Sequence, residues 1–439
     1  MPDPNALVET VEPARRLWLP RLLRQAAFRR YWSAQTVSLF GDQVSTLAIP
    51  LLAVLTTNAG PAQMGYLTAA ALAPSLLFSV LAGGWVDRRP HKRRVMIAAD
   101  LGRALLLTAV PVLWWTHVLA LPQLYVVAFA VGTLAVFFEV AHSSLFVALV
   151  ARGDYIEANT LLNGARAMSS VAGPSVGGTL VQVLGAPVAV LADVSSYLAS
   201  ALLLTRVDAA EYRPAARKRG LGGAAGLRYV ARSATLRPSL LGAATLNLFN
   251  YMFDALFVLY ATTKLGVGAG TLGAVIGVGA VGGLLGAAVT GRLTRRFGVG
   301  ATLLASFIAF PAPLILVPLA AGPRPVVLAM LVAAEFGAAA GVMMLDITAG
   351  AVQTAATPES MLARVQGARR TVNYGIRPIG ALLGGALGAT LGLRPALWIA
   401  TVGALTGALW IVFSPLPSLR DLPQTEPEQA SGDGQGGGR

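Results

Sequence analysis

The chain has 439 residues, of which 55% are hydrophobic and only 12% are charged, whereas a soluble globular protein has about a quarter of its residues charged. Because there is no cysteine, disulfides, thiol nucleophiles, iron–sulfur clusters and cysteine-ligated zinc are excluded. The high hydrophobicity excludes an intrinsically disordered chain. A net charge of +14 would suggest nucleic-acid binding in a polar chain, but here the basic residues belong to a very apolar one.

Long uncharged runs indicate a membrane protein. No charged residue occurs in 43–86, 104–138, 265–291 or 297–323. About 20 apolar residues cross a bilayer as a helix, so the first two runs each accommodate two spans. None of these runs alternates at every second residue, as strands of a β-barrel would. We therefore expect an all-α polytopic membrane protein whose partners are the lipid bilayer and a small-molecule substrate, with no nucleic acid.

Twelve spans are predicted along the chain. They cover 32–57, 63–86, 94–116, 122–150, 156–184, 186–205, 238–265, 270–293, 299–321, 324–354, 361–390 and 394–413. A cytoplasmic tail at 1–31 precedes them, and the tail at 414–439, rich in proline, glutamine and glycine, is expected to be disordered. The longest polar connection, 206–237, separates a first six-helix bundle (32–205) from a second (238–413). Residues 14–28 and 220–237 are predicted to lie as helices on the membrane surface.

The distribution of lysine and arginine predicts the orientation. With the N-terminus inside, the cytoplasmic segments hold 26 of these residues, the opposite side holds three, and five lie within spans. Cytoplasmic loops carry such an excess. The first 13 residues contain three acids, which is the wrong charge for a cleavable signal peptide. We therefore expect both termini in the cytoplasm and a protein of the cytoplasmic membrane.

The two halves repeat each other weakly. Gly164-Ala165-Arg166 has a counterpart in Gly367-Ala368-Arg369, and Phe138-Glu139-Val140 has one in Leu345-Asp346-Ile347. A parallel repeat of six plus six spans is a transporter architecture with the substrate site between the halves. The sequence thus predicts two pseudo-symmetric six-helix bundles.

Two motifs resemble those of the major facilitator superfamily. After span 2, Gly83, Asp87, Arg88 and Lys92 fit the family's loop motif, although Pro90 replaces its glycine. In span 5, Gly173, Pro174, Gly177 and Gly178 fit the Gly-Pro-x-x-Gly-Gly core of the drug–proton antiporter motif. The stretches 38–42, 157–159, 226–229 and 364–385 are similar to the branch that contains enterobactin exporters and macrolide efflux proteins.

The resemblance implies the major facilitator fold and roles for both motifs. In the family the loop latches the two halves in the outward-open state, and the span 5 motif is a pivot typical of exporters. The alternatives are that the loop is only a topology signal and that the glycines serve packing alone. One departure is that span 4, 122–150, has no arginine, whereas many drug antiporters carry an Arg-x-x-Gln-Gly pattern there, so that account of proton coupling cannot be transferred.

Intramembrane acids are the leading candidates for coupling. In the resembled fold, spans 1, 4, 7 and 10 line the cavity, and these spans carry Asp42, Glu139, Asp254, Glu335 and Asp346. A charged side chain at mid-membrane costs about 2.5–3.5 kcal/mol and normally faces a cavity or a partner. The functional hypothesis is a proton relay or cation site led by Asp42, Glu139 and then Asp346. The structural alternative is ion pairing with Arg103, Arg166, Arg369 or Arg370. For Asp100 we expect such a pair, with Arg103 or with the basic loop after span 2.

Other candidate cavity residues are polar or aromatic. His142 follows Glu139 at i+3 on the same helix face, so the two side chains can share a proton, unless the histidine bonds only to backbone. Phe138, Asn247, Asn250 and Tyr251 suit a greasy pocket with few polar anchors, unless the aromatic residues face lipid. No metal-ligand spacing and no nucleotide-binding motif occurs. We expect no metal, no cofactor and a proton gradient as the energy source.

The sequence predicts a monomeric, proton-coupled efflux transporter for hydrophobic or amphipathic small molecules such as drugs, with no catalytic residue and no enzyme activity. A dedicated siderophore or natural-product exporter is the close alternative. A non-transporting receptor or assembly factor on the same fold is the alternative of a different class. Uptake is disfavoured by the resemblance of the span 5 motif.

Overall fold

The computed structural model describes residues 20–208 and 223–423. Residues 1–19 of the predicted N-terminal tail, 209–222 of the central connection and 424–439 of the predicted disordered tail lie outside the described residues. Everything described is built from helices, turns and short connections. The fold is therefore all-α, as predicted.

Six long helices form the first bundle. They are α1 (Ala26–Thr57), α2 (Pro61–Arg88), α3 (Lys92–Trp115), α4 (Leu121–Leu149), α5 (Tyr155–Leu184) and α6 (Ala186–Thr205). Proline at the first position of α2 has the φ that a helix start needs and lacks an N–H that would stay unbonded there. Between α5 and α6, Gly185 has φ of +82°, a left-handed conformation that glycine adopts without steric cost. This single residue reverses the chain.

Six further segments form the second bundle. They are α7 (Leu236–Thr263), α8 (Ala269–Phe297), α9 (Val299–Leu319, interrupted by a 3₁₀ turn at Pro313–Ile315), α10 (Arg324–Ala355), α11 (Glu359–Thr390) and α12 (Leu393–Val412, interrupted at Thr406). Gly392, with φ of +93°, joins α11 to α12 as Gly185 joins α5 to α6. The internal repeat thus extends to the turn that closes the equivalent helix pair of each half.

Hydropathy accounts for most of these segments as membrane spans. Nine of them in the described residues are long and apolar enough to cross a membrane, and the bent helix α2 makes a tenth. The other two, α5 and α11, are more polar because they carry Arg166 and the group Arg369, Arg370 and Arg377. The predicted set of twelve spans is compatible with this architecture.

Each bundle packs its helices in the same pattern. In the first, α1 packs on α5 and α6, and α4 packs on α2 and α3; in the second, α7 packs on α11 and α12, and α10 packs on α8 and α9. Buried leucine, valine, alanine and phenylalanine fill the space between them. The structure therefore confirms the two pseudo-symmetric bundles of the major facilitator fold.

Two close helix crossings join the bundles, alongside smaller contacts of α1 and α2 with α7. Helix α2 crosses α11 where Gly65 faces Gly385, and a Cβ atom on Gly65 would lie 2.8 Å from the Gly385 Cα. Helix α5 crosses α8 where Gly178 faces Gly273, and a Cβ atom on Gly178 would lie 3.0 Å from the Gly273 Cα. Only glycine allows backbones this close. We call these crossings the two glycine seams.

Both seams lie at the end of the molecule where α1 finishes and α2 begins. We call it the closed end. At the opposite end, no comparable contact joins α4 to α10 or α11 among the residues that the structure describes. Among the described residues, the bundles therefore meet mainly at the closed end.

Short segments outside the bundles pack against them. The described part of the predicted surface helix, Gly223–Arg232, lies on α11, where Gly226 approaches the Arg364 backbone. Near the N-terminus a short helix, Arg21–Arg24, ends at Gln25 before α1 begins. Residues 414–423 of the predicted disordered tail are bonded to α9, because the backbone N–H groups of Val299 and Gly300 donate to carbonyls of residues 420 and 419. Free N–H groups at a helix start need such acceptors.

Candidate functional site

Arg103 is the centre of a buried polar network in the first bundle. Its side chain on α3 is 3% exposed and forms an ion pair with Asp100, one turn before it. A second carboxylate, Asp42 of α1, lies 3.9 Å from the Arg103 Nη1. The Arg103 guanidinium also lies over the rings of Phe138 and Tyr197, at 4.5 and 4.3 Å from their centroids. Paired carboxylates and aromatic faces together replace the water that the charge has lost.

The same network includes one face of α6. The Tyr197 hydroxyl donates to Asp42 Oδ1 at 2.5 Å, and the Ser200 hydroxyl donates to Asp100 Oδ2 at 2.7 Å. Asp193, fully buried, accepts hydrogen bonds from Ser45 and Ser196. Positions 193, 196, 197 and 200 follow the i, i+3, i+4, i+7 spacing of one helix face. Asp42 therefore belongs to a hydrogen-bonded cluster, although its side chain is 41% exposed.

A glycine on α1 lets this network close. A Cβ atom on Gly41 would overlap the side chains of Asp193 and Ser196 on α6. Without a side chain there, α1 approaches α6 closely enough for Ser45 to reach Asp193. The close approach holds Asp42, the next residue, beside Tyr197.

Glu139 and Arg166 form an ion pair between α4 and α5. Glu139 Oε1 lies 3.8 Å from Arg166 Nη2, and the two side chains are 50% and 51% exposed. The pair is therefore much less buried than Arg103. This geometry has features of both alternatives for Glu139, since the acid is accessible and also has a structural partner.

His142 bonds to a residue that sequence analysis did not identify. It is buried on α4, and its Nδ1 lies 2.7 Å from the hydroxyl of Tyr31 on α1. The histidine ring stacks on Tyr31 at 5.4 Å and on Phe138 at 6.5 Å between centroids. The partner of His142 is thus neither Glu139 nor backbone, the two that were considered. Phe138 faces this interior and not lipid.

The second bundle contains a polar cavity of about 490 Å³. Helices α7, α10 and α11 line it. The predicted residues Asn247, Asn250, Tyr251, Asp346 and Arg369 lie in its wall, together with Gln353, Arg370, Asn373, Tyr374 and Arg377. The structure therefore brings together five residues that were chosen separately from three spans.

Tyrosines and amides hold the arginines of this cavity. The Arg377 guanidinium lies over the rings of Tyr374 and Tyr251, at 4.3 and 4.9 Å. Its Nε donates to Asn247 Oδ1 at 3.3 Å. Arg370 lies 5.3 Å from the Tyr374 ring, and Arg369 donates to the side-chain carbonyl of Gln353. Within the described part of the chain, no carboxylate lies within ion-pair distance of any of the three arginines.

The remaining predicted residues lie elsewhere. Asp254 on α7 and Glu335 on α10 are outside the wall of this cavity; Glu335 packs against Gly279 of α8. Gly83, Asp87 and Arg88 are at the last turn of α2, and Lys92 starts α3, where its ammonium donates to the Val86 carbonyl. In α5, Gly173 and Gly177 pack on Gln43 and Val44 of α1, next to the buried Pro174, while Gly178 belongs to a glycine seam.

Sequence reasoning missed Tyr31, Tyr197, Tyr374 and the role of Arg377 as a cavity residue. A signal was present for two of them, because Tyr374 lies at i+4 from Arg370 and i−3 from Arg377, on one face of α11. The polar face of α6 was another such signal. For Tyr31 there was none, since His142 is 111 positions away.

Comparisons with known proteins agree with this architecture. A family model for transmembrane secretion effectors matches residues 18–431. The multidrug efflux pump Tap of Mycobacterium tuberculosis is 28% identical over 426 residues, covering 90% of this chain and 95% of the pump. In its fold the chain is similar to a bacterial homologue of the iron transporter ferroportin in an inward-facing state, with a TM-score of 0.69, 15% identity and coverage of 90% and 99% of the two chains. It is also similar to a bacterial homologue of the lysosomal transporter Spinster in an inward-facing, occupied conformation, with a TM-score of 0.67, 15% identity and coverage of 91% and 98%.

Proposed function

Because the chain belongs to the transmembrane secretion effector family and is a multi-pass membrane transporter, we propose that it exports hydrophobic or amphipathic small molecules in exchange for protons. The single observation that carries this proposal is the shape of the bundles. They touch at two glycine seams, and Asp42 and Glu139 are half-exposed. We infer that both acids line a cavity between the bundles. A similarity to an efflux pump supports the direction of transport.

Alternating access follows from the position of the seams. Lysine and arginine are concentrated at the end opposite the closed one, so the positive-inside rule supports a cytoplasmic membrane protein that is open to the cytoplasm. Substrate then enters from inside, and the seams must part on the other side to release it. The two crossings, α2 with α11 and α5 with α8, are equivalent under the pseudo-symmetry of the halves. This symmetry supports a rocking motion of one bundle against the other.

Proton coupling rests on Asp42 and Glu139. Both carboxylates are half-exposed to the cavity and lie beside an arginine, so gain of a proton releases an ion pair or a hydrogen bond. Movement of one proton can thereby change the contacts of α1 with α3 and α6, or of α4 with α5. A charge that changes the contacts of packed helices is what a transporter needs to link a gradient to a conformational step.

Proteoliposomes with an imposed pH gradient test the coupling. The wild-type protein should move rhodamine 6G against its gradient, and the Asp42→Asn, Glu139→Gln double variant should lose gradient-driven transport while it elutes as a folded protein. The Arg324→Gln variant, altered at an exposed position at the start of α10, is the control. If the double variant pumps at the wild-type rate, the coupling proposal is wrong.

A glycine substitution tests alternating access separately. In Gly178→Ala the added methyl would meet the Ala269 carbonyl and Gly273 across the seam, whereas in Gly164→Ala, on the same helix, it would meet nothing within 4 Å. We expect Gly178→Ala to slow transport at least tenfold and Gly164→Ala to leave it unchanged. Equal transport by the two variants would contradict a role for the seam in the cycle.

A further inference from the structure

We propose that Arg369, Arg370 and Arg377 bind the carboxylate of an amphipathic organic anion, which makes such anions the preferred substrate class. This inference rests on the proposed transport function and names what is transported. Its basis is the difference between these arginines and the two in the first bundle. Arg103 and Arg166 each have a carboxylate within 4 Å, whereas the three arginines of α11 have none among the described residues.

Charge balance in the cavity favours an anion. Its wall contains three arginines and one acid, Asp346. An intramembrane charge normally pairs with an opposite charge or with backbone carbonyls. Here the groups in contact with the guanidiniums are aromatic rings and neutral amides. Asp346 interacts with Arg369 and Arg377, and Asp254 with Arg377, only from beyond ion-pair distance. A ligand carboxylate would supply the missing negative charge.

The orientation of the guanidiniums favours a carboxylate. A guanidinium has five N–H donors in one plane, and its two faces carry none. The Arg377 guanidinium carbon lies over two tyrosine rings, and only Nε makes a hydrogen bond, to Asn247. Its terminal nitrogens are therefore free in the described structure to bind both oxygens of a carboxylate at once. Because these contacts already restrain the side chain, little of its freedom remains to be lost when the anion binds.

The rest of the cavity fits an amphipathic molecule. A volume of about 490 Å³ lies in the range of sites for drug-sized ligands and greatly exceeds that of a halide ion. Leu246, Phe310 and Val342 supply apolar wall. The side-chain oxygen of Asn373 is buried there without a hydrogen-bond partner, and a ligand hydroxyl or amide would satisfy it.

A pair of dyes with one scaffold and opposite charge tests the proposal. Fluorescence anisotropy of carboxyfluorescein and of rhodamine 6G is titrated with the full chain in lipid nanodiscs, without a gradient, at fixed sodium chloride. We expect the wild-type protein to bind carboxyfluorescein at least tenfold more tightly than rhodamine 6G. Arg377→Gln and Arg369→Gln should each weaken carboxyfluorescein binding roughly tenfold, since each removes a charge-assisted hydrogen bond, with rhodamine binding unchanged.

Two further variants separate binding from folding. Arg377→Lys keeps the charge but not the planar pair of donors and should weaken carboxyfluorescein binding about threefold. Arg324→Gln, outside the cavity, should bind both dyes as the wild-type protein does. Size-exclusion profiles report folding, and if the glutamine variants do not elute as folded protein, the lysine variants of Arg369 and Arg377 decide the outcome.

Three results would overturn the anion site: equal or tighter binding of rhodamine by the wild-type protein, an equal loss of both dyes in the arginine variants, or no loss of carboxyfluorescein binding. Transport is scored separately in proteoliposomes. Arginine-dependent carboxyfluorescein binding without gradient-driven movement of either dye would overturn the transport function and leave the site. Gradient-driven movement of rhodamine without arginine-dependent anion binding would overturn the anion site and leave the transport function.

Discussion

Arg166 and Arg369 occupy matching positions of the internal repeat, yet their surroundings differ. Arg166 lies 3.8 Å from Glu139, whereas Arg369 donates to the neutral side chain of Gln353, and Asp346, which matches Glu139 in the repeat, makes no ion pair with it in the described structure. The same difference extends to Arg103, which has two carboxylates, and Arg377, which has two tyrosines. In the first bundle, carboxylates pair with the arginines. In the second, the arginines have no carboxylate within ion-pair distance among the described residues, so they are available to bind an anion.

This difference suggests a division of labour between the halves. Carboxylates that have arginine partners can exchange a partner for a proton, which suits coupling. Arginines without carboxylates can take an anion from solution, which suits binding. The first bundle thus carries the half-exposed acids Asp42 and Glu139, whereas the second carries the cavity lined by Arg369, Arg370 and Arg377. Four predictions test this difference between the halves.

The largest loss of stability is expected when the buried Arg103 is replaced. In Arg103→Met, the carboxylates Asp42 and Asp100 lose their cation in a dry interior, which should cost about 3–5 kcal/mol of stability. Arg377→Met removes only contacts with tyrosine rings and one amide, so its cost should be about 1–2 kcal/mol. Thermal unfolding in one detergent compares the two, and equal losses would contradict the comparison.

A carboxylate placed in the second bundle should make it resemble the first. Gln353 already accepts a hydrogen bond from Arg369, so Gln353→Glu would create an ion pair like that of Glu139 and Arg166. We expect carboxyfluorescein binding to weaken roughly tenfold. Gln366→Glu adds the same charge to the cavity wall without that hydrogen bond and should weaken binding less. If both variants weaken it equally, net charge alone, not pairing, distinguishes the halves.

Removal of Asp346, the single acid in the described cavity wall, should strengthen carboxyfluorescein binding. Asp346 offsets part of the positive charge, so Asp346→Asn should strengthen carboxyfluorescein binding by a few fold, which is about 1 kcal/mol at the effective dielectric of a partly exposed site. The gain should shrink as sodium chloride is raised. Titrations at two salt concentrations measure it, and weaker binding at both would show that Asp346 itself contacts the ligand.

The smallest effect is expected for the half-exposed pair. Glu139 and Arg166 lie in open space, and ion pairs of this kind contribute about 0–1 kcal/mol. A double-mutant cycle with Glu139→Gln and Arg166→Gln, followed by thermal unfolding, should therefore give a coupling below about 1 kcal/mol. A larger coupling energy would show that this pair, like the Arg103 ion pairs, stabilises the fold.

The fold could be predicted from the sequence because its signals, the length and hydropathy of each span and the repeated motifs, can be read without knowing which helices touch. Uncharged runs predicted the spans, and Gly164–Arg166 with its counterpart predicted the two halves. It also predicted the pair of Asp100 and Arg103, which are one turn apart.

Contacts between helices were harder to predict. Periodicity shows which residues share a face, but not what the face meets, so Tyr31 beside His142 and Tyr197 beside Asp42 emerged only from the structure. Arg377 was recognised as intramembrane but not as part of the cavity, because its partners are aromatic and give no charge pattern. Proton coupling stays a prediction.

The glycine seams have a consequence for the kinetics of the molecule. They consist chiefly of backbone atoms in van der Waals contact, supplemented by hydrogen bonds from the Gly270 N–H to Gln182 at 3.0 Å and from the Ser175 hydroxyl to the Gly273 carbonyl at 3.4 Å. A gap of about 0.5–1 Å removes roughly a quarter to a half of the dispersion attraction between two surfaces. If the bundles rock as we propose, we therefore expect a partly opened seam to be short-lived compared with a closed one.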